Sequence, residues 1–361
     1  MAEPLKEMFN AAYFARLAKE MQTVHPRFKR SEFFKDAQHG NETRELNARM
    51  RHASITLRTY LPSDYRKAVQ ILMDVAPRMP KGYTALLYPD FVSQFGLDDP
   101  PNSLEALKYF TSFGSSEFAV REFFRRDPIG TLKVMRSWAE DQNEHVRRLA
   151  SEGSRPRLPW SFRLDAVLKD PKLTTPILER LRADDSLYVR KSVANHLNDF
   201  SKDHPKYMVD LLRSWDRKHP HTAWIAKHAS RTLIKAGDVD ALALFAFDSK
   251  VKVRVDGLEL SPKRLKLGET LELSFTVTSE AQRAQQLVID YAVHYRKANG
   301  GTSKKVFKLK EVELGPRGSM HISKRQRIVD FSTRKHHAGE HVVEVFVNGR
   351  SRAQAVFELN I

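Results

Sequence analysis

The chain has 361 residues, 41% hydrophobic and 29% charged, so its composition is that of a folded protein of two or three domains rather than a disordered one. It has no cysteine, which excludes disulfides, thiolate zinc sites, iron–sulfur clusters and cysteine nucleophiles. The 61 Lys and Arg residues against 44 Asp and Glu give a net charge of +17, which favours a polyanionic partner such as nucleic acid. No stretch approaches the roughly 18 apolar residues of a membrane span, so we expect a cytoplasmic protein without membrane insertion.

The first two-thirds of the chain predict α-helices, because apolar residues recur three and four positions apart. When this part is aligned with itself, Asp127-Pro128 matches His204-Pro205 and Trp138 matches Trp215. The spacing corresponds to two units of a HEAT-like repeat, each of roughly 40 residues. We therefore predict an α-solenoid of HEAT-like repeats over residues 1–248, with both tryptophans in its core.

From residue 249 onward the apolar period changes to two, which is the period of a β-strand. Leu271, Leu273 and Phe275 alternate with polar residues, and Asn348-Gly349 is a hairpin-turn sequence because both residues accept a positive φ. Short strands without helices predict an all-β immunoglobulin-like sandwich over residues 249–361, and thus a multidomain α + β fold. We expect seven strands, near residues 251–259, 269–277, 286–296, 304–313, 319–328, 340–348 and 352–360.

Acidic residues at matching repeat positions are candidates for catalysis. Glu122 and Asp199 occupy equivalent positions, so both should project toward one groove. Glu152 is a third candidate, because it lies in a basic segment unlike a standard helical repeat. The alternative is that these acids lie on the surface and pair with neighbouring basic side chains.

A basic loop follows Glu152. A helix that ends at Gly153 gives way to an extended segment with two prolines, which presents Trp160 in polar surroundings. Trp160 either contacts a ligand or packs under the loop. The arginines around Glu152 make either a salt-bridge cluster or a phosphate clamp with an acid at its centre, and they are Arg147, Arg148, Arg155 and Arg157.

Other chemistries have no support in the sequence. It has no Walker loop, no G-x-G-x-x-G, no G-x-S-x-G and no H-E-x-x-H motif, so we expect neither a cofactor nor a metal. His336, His337 and His341 lie close together, but no spaced acidic set accompanies them. We interpret these histidines as a solvated turn.

The predicted sandwich carries a second basic region. On one strand Lys308 and Lys310 should share a face, with Phe307 and Leu309 on the other, so the charged face is available to nucleic acid. The alternative is that the lysines only keep the domain soluble and discourage edge pairing. The basic residues of this region are Lys304, Lys305, Lys308 and Lys310, followed on the next strand by Lys324, Arg325 and Arg327.

Two segments resemble the bacterial AlkC-type enzymes, relatives of AlkD among the HEAT-like-repeat DNA glycosylases. They are the opening Pro4-Leu5-Lys6-Glu7-Met8-Phe9-Asn10 and the stretch from Val146 to Trp160 that contains the basic loop. The resemblance extends over essentially the whole chain. AlkD has Trp-x-x-x-Asp at its catalytic carboxylate, and the counterpart here is Phe118-Ala119-Val120-Arg121-Glu122. A second AlkD-type tryptophan falls near Asn195 or His196.

The resemblance implies a glycosylase that excises cationic alkylated bases, such as 3-methyladenine and 3-methylcytosine, from double-stranded DNA without a base pocket. We expect a monomer without cofactors. The alternative, from another functional class, is a non-catalytic HEAT-like scaffold that binds nucleic acid or an acidic protein. The candidate catalytic residues are Glu122, Glu152 and Asp199, and the candidate lesion and DNA contacts are Phe118, Arg148, Arg155, Arg157, Trp160, His196, Lys304, Lys305, Lys308 and Lys310.

Overall fold

A computed structural model describes residues 4–331 and 334–361. Within them the chain forms sixteen α-helices and eight β-strands, with one short 3-10 helix before the first α-helix and three more between later α-helices. The α-helices are α1 (Ala11–Val24), α2 (Arg30–Gln38), α3 (Leu46–Tyr60), α4 (Tyr65–Val75), α5 (Leu87–Phe95), α6 (Pro100–Phe110), α7 (Glu117–Arg126), α8 (Pro128–Trp138), α9 (Glu144–Gly153), α10 (Asp165–Lys169), α11 (Thr175–Leu181), α12 (Leu187–Phe200), α13 (Pro205–Ser214), α14 (Pro220–Ala229), α15 (Arg231–Ala236) and α16 (Val239–Ala243).

The strands follow the helices in the chain, so the predicted multidomain α + β fold is confirmed. They form a three-stranded sheet in the order β1-β3-β6 and a five-stranded sheet in the order β2-β8-β7-β4-β5. Seven of them match the predicted segments, and the eighth is a three-residue strand too short to show an alternation. The strands are β1 (Val253–Ser261), β2 (Arg264–Lys266), β3 (Thr270–Ser279), β4 (Gln285–Arg296), β5 (Thr302–Leu314), β6 (Ser319–Arg327), β7 (Gly339–Val347) and β8 (Arg350–Asn360).

The chain divides into two compact units. One comprises the residues up to His204 together with Trp215–Ala229, and the other comprises Pro205–Ser214 together with Ser230–Ile361. The first unit is helical. The second contains both sheets and also α13, α15 and α16, so it begins before residue 249.

Matching contacts recur along the helical unit. Nη1 of Arg147 on α9 donates to the carbonyl oxygens of Asp141 at 3.0 Å and Gln142 at 2.8 Å. On α12, which packs against α9, Arg190 donates in the same way to two carbonyls of the turn before its own helix. The repeated contact is a structural counterpart of the HEAT-like sequence repeat. As predicted, Trp138 and Trp215 are buried.

The apolar alternation along β3 and β4 points one set of side chains into the sandwich. Leu271, Leu273 and Phe275 are buried against Ile289 and Tyr291. The opposite face of β4 is also covered, because Val288 packs with three side chains from the end of the helical region. Those side chains are Ile234, Leu242 and Phe247.

A β-bulge between β4 and β5 overturns the expectation that Lys308 and Lys310 share a face. Lys308 lies opposite Asp290, whereas Lys310 lies opposite Ile289, and Leu309 is the extra residue. Directly paired residues of an antiparallel sheet point to the same side, and adjacent residues of β4 point to opposite sides. The extra residue of the bulge therefore places the two lysines on opposite faces.

Candidate active site

Buried charge is concentrated in the helical unit, at α7, α9, α12 and the loop after α9. Two adjoining cavities formed by described residues open there, with volumes of about 450 and 590 Å³. We name them the Glu122 cavity and the Glu152 cavity, each after one of the carboxylates that line it. They share one wall and thus form one cleft. The shared wall consists of Tyr83, Leu86, Ser115, Phe118 and Trp160.

Glu152 lies in the last turn of α9 and is only 6% exposed. Its Oε1 accepts a hydrogen bond from Nη1 of Arg155 at 2.7 Å, and its Oε2 accepts one from Oγ of Ser192 at 2.6 Å. Nη2 of Arg148, one helical turn earlier, is 3.6 Å from Oε1. The carboxylate is therefore desolvated and also held in one orientation by fixed donors.

Arg155 joins Glu152 to Asp199. Its Nε and Nη2 donate to the two oxygens of Asp199 at 2.9 and 3.1 Å, in the fork geometry that favours Arg over Lys. Burial raises the pKa of the Asp199 carboxyl above its ordinary value, although the hydrogen bonds from Arg155 oppose that shift. Asp199 lies behind Arg155 and is not among the residues lining either cavity.

Arg148 brings a third carboxylate into the same cluster, and this carboxylate is Glu117. Nη1 of Arg148 donates to Oε2 of Glu117 at 3.0 Å, and its guanidinium lies 4.8 Å from the ring centre of Tyr188. Glu117 is 8% exposed and lines the Glu152 cavity. It is not one of the residues predicted from the sequence. Its position three residues before the buried Val120, on the inner face of α7, was the available signal.

Glu122 lies on the other cavity, so it does not share one with Glu152 or Asp199. It is half-buried and pairs with Arg125 one turn along α7. Its neighbour across the Glu122 cavity is Asp90, whose carboxylate accepts from Nε of Arg51 at 3.0 Å and from Nε2 of Gln94 at 2.7 Å. Asp90 and Arg51 lie outside the repeated segments, so the repeat gave no reason to select them.

The loop after α9 places one ring at the rim of both cavities. Trp160 is 87% exposed, which excludes the alternative that it packs under the loop. Trp160 lies in a turn that is closed by a hydrogen bond, in which the N–H of Ser161 donates to the carbonyl oxygen of Leu158 at 3.3 Å. Arg157 donates to both oxygens of Asp203 at 2.9 and 2.8 Å and so ties the loop to the residues after α12. Of the four arginines, Arg148 and Arg155 form salt bridges with Glu152, whereas Arg157 pairs with Asp203 and Arg147 with Asp184.

His196 on α12 is fully buried. Its Nδ1 lies 3.0 Å from the carbonyl oxygen of Ser151, and its Nε2 lies 3.2 Å from Oγ1 of Thr174. Burial lowers the pKa of His196 to about 3, since the charged ring would lose its hydration. The neutral ring thus supports the end of α9, and it lines neither cavity.

The buried His196 gives a pH prediction. In the unfolded chain the imidazole takes up a proton below its ordinary pKa of 6.5, whereas the folded protein resists protonation down to about 3. The stability that this neutral ring contributes is present above pH 6.5 and is lost as the pH falls toward 3. We expect His196→Gln to reduce the slope of the unfolding free energy against pH in this window by up to about 1.4 kcal/mol per pH unit. Urea titrations between pH 4 and 7 measure the slope, and the half-buried His145→Gln is the control. An unchanged slope would show that His196 does not govern acid stability.

The predicted basic residues of the sandwich differ in how they are engaged. Lys304 pairs with Glu344 at 3.4 Å and lies 4.0 Å from the ring centre of Phe346. Lys308 pairs with Glu311 at 2.8 Å. Nζ of Lys305 lies 5.1 Å from the ring centre of Phe307, and Nζ of Lys310 is 3.6 Å from Sδ of Met320. All four lysines are exposed.

Metal-binding geometry is missing from residues 4–331 and 334–361, in which no three His, Asp or Glu side chains are grouped closely enough to hold an ion. The predicted histidine turn is partly buried: His336 is 5% exposed and its Nδ1 lies 3.0 Å from Asp330. His341 is fully buried and stacks on Phe357. The interpretation of a fully solvated turn is therefore wrong for these two residues. None of the described helices is both long and apolar enough to cross a bilayer.

Two segments of the chain match known protein families. A family model described as DNA alkylation repair enzyme matches residues 108–233, and a model described as the C-terminal Ig-like domain of the uncharacterised protein YhaZ matches residues 254–361. The first match includes α7, α9 and α12, which carry the buried cluster. The second includes all eight strands except the first residue of β1.

Two relatives extend the match to the whole chain. The uncharacterized protein YhaZ of Bacillus subtilis (strain 168) is 42% identical over 357 residues, which cover 98% of this chain and 99% of YhaZ. The alkylpurine DNA glycosylase AlkC of Pseudomonas fluorescens, solved bound to DNA containing an abasic site analog, is 48% identical with a TM-score of 0.96. That match covers 99% of this chain and 100% of the AlkC chain. The present chain belongs to the DNA alkylation repair enzymes and, among them, to the AlkC-type DNA glycosylases with a C-terminal Ig-like domain.

Proposed function

We propose that this protein excises cationic alkylated bases, such as 3-methyladenine and 3-methylcytosine, from double-stranded DNA by hydrolysing the N-glycosidic bond. The observation that carries the proposal is the buried cluster beside the cleft. There Glu152, held by Arg148 and Arg155, lines a cavity whose rim carries the exposed ring of Trp160. A protein that only binds DNA has no need of a desolvated, oriented carboxylate at this place.

The chemistry of the lesion fits a site that provides carboxylates rather than a general acid. A base alkylated at N3 is already positively charged, so it leaves without being protonated. As the bond breaks, the deoxyribose becomes oxocarbenium-like, and a fixed carboxylate stabilises the developing positive charge and can orient a water molecule. The reaction consumes only water.

The candidate residues divide into roles according to their contacts. We assign the electrostatic role to Glu152, and we retain Glu122, on the adjoining cavity, and Asp199, behind Arg155, as further candidate catalytic carboxylates. Phe118 and Trp160 border both cavities and would contact the damaged nucleotide. Because the cleft is open rather than a closed pocket, we propose that the carboxylates contact the damaged nucleotide from its sugar side. Most glycosylases flip the damaged base out of the duplex, and we propose that this protein does not.

The arginines and His196 complete the assignment. Arg148 and Arg155 orient Glu152, and we retain both as candidate contacts with the DNA backbone. Arg157 fixes the loop through Asp203, and the buried His196 supports the end of α9 behind the cluster. Phosphate contacts of this kind position DNA without reading its sequence.

Release of the free base tests the proposal. Purified protein is incubated with a methylated duplex, and free 3-methyladenine and 3-methylcytosine are quantified by chromatography. We expect the protein to release base and leave abasic sites. A protein that binds the duplex but releases no base at any concentration would instead be the non-catalytic scaffold, the second candidate function.

We propose that the lysines of β5 contribute DNA phosphate contacts. Lys305 is our first candidate, because its ammonium lies over an aromatic ring rather than in one of the ion pairs formed by Lys304 and Lys308. Each phosphate that the protein no longer neutralises reduces the slope of log K against log salt by about 0.9. We expect Lys305→Gln to lower the slope by about that amount, measured by fluorescence anisotropy with labelled duplex. Lys263→Gln, between β1 and β2, removes the same charge as a control. Equal slopes for the two variants would contradict a specific contact at Lys305.

A further inference from the structure

Trp160 depends on the backbone of its loop for its position. Its side chain is 87% exposed, so packing does not hold the ring. Its φ is +64°, in the left-handed region that bulky residues rarely adopt. Such a conformation persists only where the surrounding structure fixes the chain on both sides.

Arg121 fixes this loop from underneath. The residue is fully buried on α7, and its Nη1 donates to the carbonyl oxygens of Gly153 at 3.2 Å and Arg155 at 2.5 Å. Its Nη2 donates to the carbonyl oxygen of Phe162, and its guanidinium lies 5.3 Å from the centre of the Phe162 ring. One planar group thus joins the segment that enters the loop to the segment that leaves it, with Trp160 between them.

The contacts of Arg121 are those of a clamp and not those of a salt bridge. Among the described residues no carboxylate forms an ion pair with it, and both terminal nitrogens are committed to backbone carbonyls. Burial lowers the pKa of Arg121 to about 10, with Arg155 contributing, so the group keeps its charge near neutral pH. A lysine could keep that charge, but its single nitrogen could not bind carbonyls on both sides of the loop.

We infer that Arg121 is a positioning residue for the glycosylase reaction, which acts by clamping both ends of the loop so that the Trp160 ring stays at the rim of the two cavities. The inference rests on the proposed function. It assigns Arg121 no contact with DNA. Its effect on excision is exerted entirely through Trp160.

A double-mutant cycle tests this coupling. Arg121→Lys keeps the charge, and we expect kcat for base release to fall roughly 10- to 100-fold with little change in KM, because misplacement by about 1 Å costs up to about 100-fold. In a Trp160→Ala background the same substitution should have almost no further effect. Arg126→Lys is the matched control, since Arg126 lies on the same helix and donates to a carbonyl, that of Leu97 at 2.8 Å, away from the loop.

A second measurement is independent of catalysis. The fluorescence anisotropy of Trp160 is obtained as the difference between the protein and Trp160→Phe, and we expect Arg121→Lys to lower it while Arg126→Lys does not. If Arg121→Lys lacks a native circular dichroism spectrum, Arg121→Gln, which keeps two N–H donors, takes its place. Unchanged anisotropy, or effects on kcat that multiply in the double mutant, would overturn the inference. Failure of the unsubstituted protein to release any base would instead refute the proposed function, and the anisotropy would still decide whether Arg121 holds the ring.

Discussion

Replacing Glu152 by Gln should lower the rate of base release by roughly 100- to 1000-fold, the loss seen when one preorganised electrostatic group is removed from an active site. The substitution removes the negative charge at almost constant shape. Oγ of Ser192 keeps an oxygen to which it can donate, and Arg155 keeps its two hydrogen bonds to Asp199. The fold should therefore survive, and binding to abasic DNA should change little.

Single-turnover release of 3-methyladenine measures the effect, and thermal unfolding with abasic-DNA binding shows that the protein is intact. Glu144→Gln, on the same helix but exposed, is the control and should excise at the unsubstituted rate. The same rate measurement on Asp199→Asn and Glu122→Gln ranks the other two candidate carboxylates by how much each contributes to base release. If all three of Glu152, Asp199 and Glu122 tolerate the change without loss of rate, the assignment of catalysis to carboxylates is wrong.

For Trp160→Ala we expect base release to fall roughly 5- to 150-fold, the range that corresponds to losing about 1–3 kcal/mol of stacking against a nucleotide. Because the ring is 87% exposed, its loss should change the unfolding free energy by less than about 0.5 kcal/mol. The variant should therefore lose activity while its stability is nearly unchanged. Replacing a tryptophan of the core would instead lower the stability.

The measurement is base release under single-turnover conditions, paired with urea unfolding of the same preparation. Ile129→Ala, which removes another exposed apolar side chain of the helical unit, is the matched control and should affect neither quantity. A large drop in stability with normal specific activity in the folded fraction would mean that Trp160 has a structural role.

Periodicity predicted the fold well because it reports which face of each element is buried. The change from a helical period to a period of two fell close to the start of β1, and the strand boundaries followed from the alternation. Periodicity could not show where a strand is buried on both faces. Val288 is covered by Ile234, Leu242 and Phe247. The sequence pattern placed these three side chains at the end of the solenoid, whereas the structure packs them against a strand of the sandwich.

The candidate site was predicted less completely, because repeat matching compares positions along the chain and not contacts between helices. It paired Glu122, which lines a cavity, with Asp199, which lines neither. Glu152 and Arg155, which the structure brings together, were selected instead because their basic segment differs from a standard repeat. Glu117 joins the cluster by an ion pair with Arg148, a contact between two helices that repeat matching does not consider. Similarly, no sequence pattern predicted the β-bulge that places Lys308 and Lys310 on opposite faces of the sheet.

The discontinuous boundary between the two units has a consequence for synthesis. Helix α13 precedes α14 in the chain, yet it belongs to the unit that is completed only by residues 230–361, and it packs against α16. A growing polypeptide therefore releases α13, whose Met208, Val209 and Leu212 are buried in the folded protein, before α16 exists. Chains that stop between α14 and α16 should therefore aggregate or engage chaperones, because α13 still lacks a helix against which it packs.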